Sequence, residues 1–78
     1  MDSRDYETLR RHLALNLRTL RKAAGLSQEQ LSLEADLDRS YVSQIERAVG
    51  NPSLQILVTL AKTLRCDVTV LLAPTDRV

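Results

Sequence analysis

The sequence predicts an all-α fold of five helices in a single domain spanning residues 1–78. Its apolar residues recur every three or four positions, which is helical spacing and not the alternation of a half-buried strand. Two glycines and two prolines separate these stretches. With 44% hydrophobic and 27% charged residues, the composition is that of a globular domain with room for one small core.

The first and longest helix is predicted from a single apolar stripe. Ser3 or Asp5 can cap its start, and Gly25 can end it by adopting the left-handed conformation. The stripe recurs at intervals of four, four, three and four residues, at Leu9, Leu13, Leu17, Leu20 and Ala24.

Two short helices follow. Ser27 and Gln30 have the spacing of a capping box, in which each satisfies the other's backbone N–H, and this opens the second helix. Residues 36–38 form a turn that ends at Asp38, a good N-cap for a third helix. The residues of these two helices that we expect to face inward are Leu31, Ala35, Val42 and Ile45.

The fourth and fifth helices complete the predicted fold. Residues 51–53 form a loop that ends in a cap, and Asp67 can cap a fifth helix running through Leu72. Pro74 stops that helix, and we expect residues 75–78 to fray. The fourth helix has an apolar stripe made of Leu54, Leu57, Leu60, Ala61 and Leu64.

Residues 28–47 are the most informative segment. Two short helices joined by about three residues cannot lie antiparallel, so they cross steeply and the second faces outward, as in a helix-turn-helix. Such a helix fits the major groove of B-DNA, which is about 12 Å wide. Arg suits the edge of guanine and Gln the edge of adenine. The polar face of this helix consists of Arg39, Ser40, Ser43 and Gln44.

The same geometry also occurs in proteins that do not bind DNA. From spacing alone, a solvated polar face on an ordinary helix is therefore an equal alternative to a DNA-reading face.

Three linked segments resemble a known family. Residues 25–31 read Gly-Leu-Ser-Gln-Glu-Gln-Leu, residues 37–47 read Leu-Asp-Arg-Ser-Tyr-Val-Ser-Gln-Ile-Glu-Arg, and residues 51–54 read Asn-Pro-Ser-Leu. Together they resemble the Cro/repressor-type helix-turn-helix regulators of the xenobiotic-response-element family, which have a five-helix lambda-repressor-like fold. The resemblance covers residues 13–72. The chain length and residues 37–43 are also similar to the controller proteins of restriction–modification operons.

The resemblance implies a role for each matching position. Base edges of double-stranded DNA would be read by Arg39, Ser40, Ser43 and Gln44. DNA phosphates would be contacted by Gln28, Tyr41, Arg47 and Asn51. Arg21 and Glu46 match the family's internal ion pair, which ties the first helix to the end of the third.

Three positions depart from the family pattern. Asp36 stands where the family usually has glycine in the turn, and we expect it to tolerate the left-handed conformation. Ala48 also replaces a usual glycine. Gly50 stands where a basic residue is common, which removes one phosphate contact.

The charge is distributed unevenly along the chain. Eleven basic residues against ten acidic ones give a net charge of +1, but residues 27–38 contain four acids and no base. Residues 39–65 contain four bases and one acid, so positive charge gathers from the third helix onward. With no Trp or Phe and two Tyr, the chain lacks the aromatic residues that stack on single strands.

We expect self-association to stabilise so small a domain. A single cysteine, Cys66, excludes an internal disulfide and a multi-cysteine zinc site. Ile56, Val70 and Leu72 have no evident partner within one domain and are predicted to form a homodimer interface. The alternative is that they are single exposed apolar residues, which are normal on protein surfaces. A two-fold dimer would place the third helices of its two subunits about 34 Å apart, so its operator is predicted to be palindromic.

Other features suggest neither catalysis nor a cofactor. Arg10, Arg11 and His12 are predicted to be a solvated basic face, His12 has no partner at metal-ligand spacing, and Cys66 is expected to fill core. We predict no enzyme activity, no metal and no cofactor. No apolar run reaches the roughly 20 residues that span a bilayer, so a cytoplasmic protein without a membrane partner is expected.

The sequence therefore predicts a homodimeric, sequence-specific regulator of transcription that occupies an operator. Whether occupancy blocks or recruits RNA polymerase, a further candidate partner, would depend on the operator's position. Two alternatives stay open. One is an antitoxin-type protein whose main partner is another protein, which a neighbouring toxin gene would favour. The other is a helix-turn-helix used only for protein interaction, which failure to bind any duplex selectively would favour.

Overall fold

The computed structural model describes residues 3–75, with side chains from residue 5 onward. The five helices are α1 (Ser3–Ala23), α2 (Gln28–Glu34), α3 (Arg39–Glu46), α4 (Leu54–Thr63) and α5 (Val68–Leu72). No residue between 3 and 75 is in a strand, so the predicted all-α five-helix fold is confirmed. Of the tail predicted to fray, residues 76–78 lie outside the described residues.

The core is built around α1, which packs against both α3 and α5. Helix α2 packs on α3, and α4 packs on α5. Fully burying a large aliphatic side chain contributes about 1.5–3 kcal/mol to stability. The largest fully buried side chains come from all five helices and are Leu17, Leu31, Val42, Leu60 and Leu71.

The helices begin where short-range capping predicts. Ser27 accepts a hydrogen bond from the backbone N–H of Gln30 at 3.0 Å, and the Gln30 side chain accepts one from the backbone N–H of Ser27 at 2.8 Å. The predicted capping box is thereby confirmed. Asp38, Ser53 and Asp67 cap α3, α4 and α5. Helix α1 begins at Ser3 itself, so the two predicted caps, Ser3 and Asp5, both lie inside its first turn and not before it.

Helices α1 to α4 all end in the same left-handed turn. After α1, Gly25 has a φ of 74°, and the N–H groups of Gly25 and Leu26 bond back to carbonyls of the last helical turn. The equivalent residues after α2, α3 and α4 are Asp36, Ala48 and Arg65, with φ of 54°, 56° and 59°. The expectation that Asp36 tolerates this conformation is confirmed. A side chain makes this conformation less favourable by about 1–2 kcal/mol.

Two of the three residues expected to lack partners within the domain have them. Ile56 and Leu72 are partly buried against the core, while Val70 is 42% exposed. Ile56 lines a cavity with residues of α3, and Leu72 lines another with Leu9 and Leu57. The expectation was wrong for Ile56 and Leu72 because the periodicity of one helix does not show which neighbouring elements cover its sides.

Candidate nucleic-acid interface

Helices α2 and α3 pack through their apolar sides. Leu31 and Ala35 from α2 and Val42 and Ile45 from α3 are all buried in the same core cluster. The connection between the two helices is residues 35–38, four residues where about three were expected. This packing fixes α3 with its opposite side away from the core.

The outward side of α3 contains the predicted base-reading residues. Arg39, Ser40 and Gln44 are exposed, and Ser43 is half-buried. Residues three or four apart lie on one face of a helix, so these side chains form a continuous strip. The one acidic residue of α3, Glu46, is 4% exposed, which leaves the strip neutral to positive.

Three of the predicted phosphate-contacting residues lie at the edge of that strip. Tyr41 and Asn51 are exposed and line a shallow cavity of about 300 Å³ together with Gln44, between α3 and the start of α4. Arg47 is exposed, and its Nε donates to the carbonyl of Ser43 at 3.4 Å. The strip and its border thus bring the predicted base-reading side chains next to polar groups of the kind that bind phosphate.

The fourth, Gln28, contacts the last residue of α3 and so has an internal partner. It is half-buried, and its Nε2 donates to Glu46 Oε1 at 3.1 Å. An amide nitrogen has two N–H groups, so this bond leaves the second N–H to a different acceptor.

Arg21 and Glu46 form a buried ion pair. Arg21 Nε donates to Glu46 Oε2 at 2.7 Å and its Nη2 donates to Oε1 at 2.9 Å, a bidentate arrangement. Arg21 Nη1 also donates to the carbonyl of Leu26 at 2.8 Å. The side chains of Arg21 and Glu46 are 10% and 1% exposed, so the pair joins α1 to the last residue of α3 with little exposure to water.

The pKa values of this pair reflect opposing causes. Burial alone would raise the pKa of Glu46, but hydrogen bonds from Arg21 and Gln28, with the positive charge of Arg21, outweigh it and lower that pKa. The hydrogen bond to Glu46 raises the pKa of Arg21 against the opposing effect of its burial. Both residues are therefore charged at neutral pH.

Arg18 is a member of this cluster that the sequence analysis missed. Its Nη2 donates to the backbone carbonyl of Glu46 at 3.0 Å, and its Nε lies 3.5 Å from Glu46 Oε1. Arg18 precedes Arg21 by three residues and so lies on the same face of α1, which is the signal that could have identified it.

The loop between α3 and α4 is attached to α1. Tyr6 Oη and Arg10 Nη1 each donate to the carbonyl of Gly50 at 3.3 Å, and the Arg10 guanidinium carbon lies 4.9 Å from the centre of the Tyr6 ring. The expected solvated face is therefore wrong for Arg10, although Arg11 is exposed. Gly50 has a φ of 78°, which gives a physical reason for glycine at this position.

Cys66 and the acidic side chains of the described residues are the remaining candidates for reactive or metal-binding groups. Burial, together with the negative charge of Asp67, raises the pKa of the Cys66 thiol and makes it a poor nucleophile at neutral pH. Within residues 3–75, no three His, Cys, Asp or Glu side chains are grouped as a metal site would require. No helix in that part of the chain has the length and apolarity to cross a membrane.

Comparison with known proteins gives consistent matches over most of the chain. A helix-turn-helix family profile matches residues 17–71. The control protein C.SmaI of Serratia marcescens is 43% identical over 60 residues, which are 77% of this chain and 71% of that protein. A longer relative, an uncharacterized HTH-type transcriptional regulator of Sinorhizobium fredii, is 41% identical over 63 residues, and the chain spans 31% of its length.

Solved structures show the same similarity. The restriction–modification controller protein C.AhdI from Aeromonas hydrophila is 42% identical with a TM-score of 0.76, and the match covers 80% of this chain and 94% of that one. The protein C.Esp1396I bound to a 19 base pair DNA duplex is 30% identical with a TM-score of 0.73, covering 81% of this chain and 84% of that one.

Proposed function

Because the chain belongs to the helix-turn-helix family, we propose that it binds double-stranded DNA sequence-specifically and regulates transcription, as a homodimer on a palindromic operator. The observation that carries this proposal is the outward strip of α3, where exposed hydrogen-bonding side chains occur without an exposed acid. The C.Esp1396I structure with DNA supports it, since that protein has a similar fold.

Base recognition is assigned to four side chains on α3. Arg39 has the paired donors that bind the O6 and N7 acceptors of guanine, and Gln44 has the donor and acceptor that match adenine. Ser40 and Ser43 are small enough to let the helix approach the base edges and can hydrogen-bond to several of them.

Phosphate binding is assigned to residues on both sides of that strip. Gln28 would donate the N–H that Glu46 does not use, while Tyr41, Arg47 and Asn51 would bind the backbone on the opposite side. Such contacts fix the register of the protein on DNA and make its affinity depend on salt.

The homodimer is proposed to form through the apolar surface of Ile56, Val70 and Leu72. Val70 is the most exposed of the three, and the partial burial of Ile56 and Leu72 still leaves each an accessible edge. A domain of 78 residues without an internal disulfide gains stability by burying such a surface in a symmetric contact.

The similarity to C.SmaI and C.AhdI favours a controller of a restriction–modification operon. In that role the protein would act in the cytoplasm by occupying operator DNA, and its position relative to RNA polymerase would decide between activation and repression.

Selection of bound duplexes from a random pool tests the proposal. We expect the pool to converge on an inverted repeat whose half-sites are one helical turn apart. A protein that retains no duplex in preference to random DNA would contradict DNA recognition, and convergence on an asymmetric site would contradict the two-fold dimer.

A further inference from the structure

The carbonyl of Gly50 accepts hydrogen bonds from two side chains that are distant in the sequence. Tyr6 and Arg10 are 44 and 40 residues away in the sequence, yet both donate to it at 3.3 Å. Each bond is long for a hydrogen bond, and the stacking of Arg10 on the Tyr6 ring orients the two donors together. The N-terminal turns of α1 therefore hold the backbone of the α3–α4 loop.

The same glycine leaves little space between its Cα and the side chain of Gln44. A methyl group added at Gly50 would lie 3.4 Å from Gln44 Oε1 and 3.8 Å from Gln44 Cβ. The N–H of Val49 also bonds to the carbonyl of Gln44 at 3.0 Å. The loop residue that accepts from Tyr6 and Arg10 is thus close to the side chain of a proposed base-reading residue.

We propose that Tyr6 and Arg10 are positioning residues that set the orientation of Gln44, and so the base preference of the protein, although neither is on the helix-turn-helix. This inference rests on the proposed function. The donors fix the loop, and the loop limits the conformations that the Gln44 amide can adopt. Asn51, the next residue along, lines the same cavity as Gln44.

The energetic scale of the effect follows from the two bonds. One hydrogen bond of this kind has a net value that corresponds to a change in affinity of roughly two- to tenfold. Restricting Gln44 before binding also lowers the entropy lost when its amide pairs with a base. Both effects fall on the base pair that Gln44 reads, and the pairs read by Arg39 are unaffected.

The test compares Tyr6→Phe and Arg10→Ala with Arg11→Ala on a selected operator and on duplexes substituted at each base pair in turn. Tyr6→Phe removes one hydroxyl and keeps the ring, and Arg11→Ala removes the same charge from the same helix as Arg10→Ala. We expect Tyr6→Phe and Arg10→Ala to bind the operator roughly two- to tenfold more weakly and to discriminate less at the Gln44 base pair alone. Arg11→Ala should keep the discrimination of the wild type.

A double-mutant cycle gives a second measurement. If the donors act through Gln44, Tyr6→Phe should have almost no effect on discrimination once Gln44→Ala is present. The proposal would be overturned if Tyr6→Phe weakened binding to all duplexes equally, or did not weaken binding at all.

The side-chain amide signals of Gln44, observed by NMR in the free protein, separate the two levels of inference. A wild-type protein that selects no duplex would refute the proposed function, but the NMR measurement could still be made on the free protein. In the free protein we expect Tyr6→Phe to shift and broaden these signals, and unchanged signals would refute the positioning role.

Discussion

Arg21 and Glu46 join the first helix to the last residue of α3 through two hydrogen bonds of 2.7 and 2.9 Å, with the carboxylate 1% exposed. A charge in such a site is stable only while its partner is present, because burial of an unpaired ion is costly. The pair also brings Gln28, a proposed phosphate ligand, into contact with the end of α3. Stability and the proposed phosphate contact of Gln28 therefore involve the same carboxylate.

Glu46→Ala should destabilise the protein strongly. It leaves the Arg21 guanidinium buried without its partner, which costs on the order of 3–5 kcal/mol. Chemical denaturation measures the change in the free energy of unfolding. Arg18→Ala is the control, because the Arg18 side chain is 44% exposed and its contact with Glu46 should contribute only about 0–1 kcal/mol. A loss below about 1 kcal/mol for Glu46→Ala would contradict a dry ion pair.

The same carboxylate should make stability depend on pH. The pKa of Glu46 in the folded protein is lowered from its ordinary value of 4.5, so its contribution is fully present above that value and is lost as pH falls through the folded pKa. Glu46→Gln removes this titration and keeps the size of the side chain. The difference in stability between wild type and Glu46→Gln should be constant near neutral pH and shrink in acid.

Asp38 and Asp67 also have lowered pKa values, because they accept hydrogen bonds from Ser40 and Thr69. Both are present in wild type and in Glu46→Gln, so their effect cancels from the comparison. A difference that stays constant down to pH 2 would show that Glu46 does not supply the acid sensitivity.

Ala48→Gly should stabilise the protein by about 1 kcal/mol, because glycine adopts a positive φ without the strain of a Cβ. Ala48 has a φ of 56°. Gly25→Ala is the reverse change at an equivalent turn, and nothing lies within 4 Å of the added methyl group, so it should destabilise by strain alone. Urea denaturation measures both. Destabilisation by Ala48→Gly would mean that packing of the Ala48 methyl group outweighs the backbone strain.

How much of this could be predicted from sequence depended on the distance over which each feature acts. The caps at Ser27, Asp38, Ser53 and Asp67 were predicted because each bonds to a residue two or three positions ahead. The family resemblance, which the profile match confirms, led to the pairing of Arg21 with Glu46, since spacing does not show which acid faces which base across 25 residues.

Contacts without a local signal were missed. The bonds from Tyr6 and Arg10 to Gly50 join residues at least 40 positions apart. Their acceptor is a backbone carbonyl, which every residue has, so the residue type at position 50 does not indicate the contact. The apolar periodicity correctly identified Leu57, Leu60 and Ala61 as the core side of α4, but it was wrong for Leu54, which is 74% exposed. It failed for Ile56 because α3 and the following loop also cover the flank of that helix.

Base reading and phosphate binding should differ in their response to mutation. If Arg39 and Gln44 contact bases, Arg39→Ala or Gln44→Ala should cost roughly 1–3 kcal/mol on the operator and relax preference at one base pair each. Arg47→Ala should weaken binding to all duplexes and reduce the slope of log affinity against log salt by about 0.9. Titrations at several salt concentrations measure both effects. Equal losses on operator and random DNA for Arg39→Ala and Gln44→Ala would refute the assignment.

Val70→Asp should convert the proposed dimer into a monomer. Val70 is 42% exposed within one domain, so a carboxylate at this position stays in contact with water and the monomer keeps its fold. In a two-fold apolar contact the same carboxylate would be buried without a partner. Leu33→Asp is the matched control, since Leu33 is 76% exposed and lies on α2, away from the C-terminal helices. Analytical ultracentrifugation at micromolar concentration should show a dimer for wild type and Leu33→Asp and a monomer with unchanged helix content for Val70→Asp. Binding to the palindromic operator should be lost with the dimer, because half-sites must be occupied together. A wild type that sediments as a monomer without DNA would count against this surface.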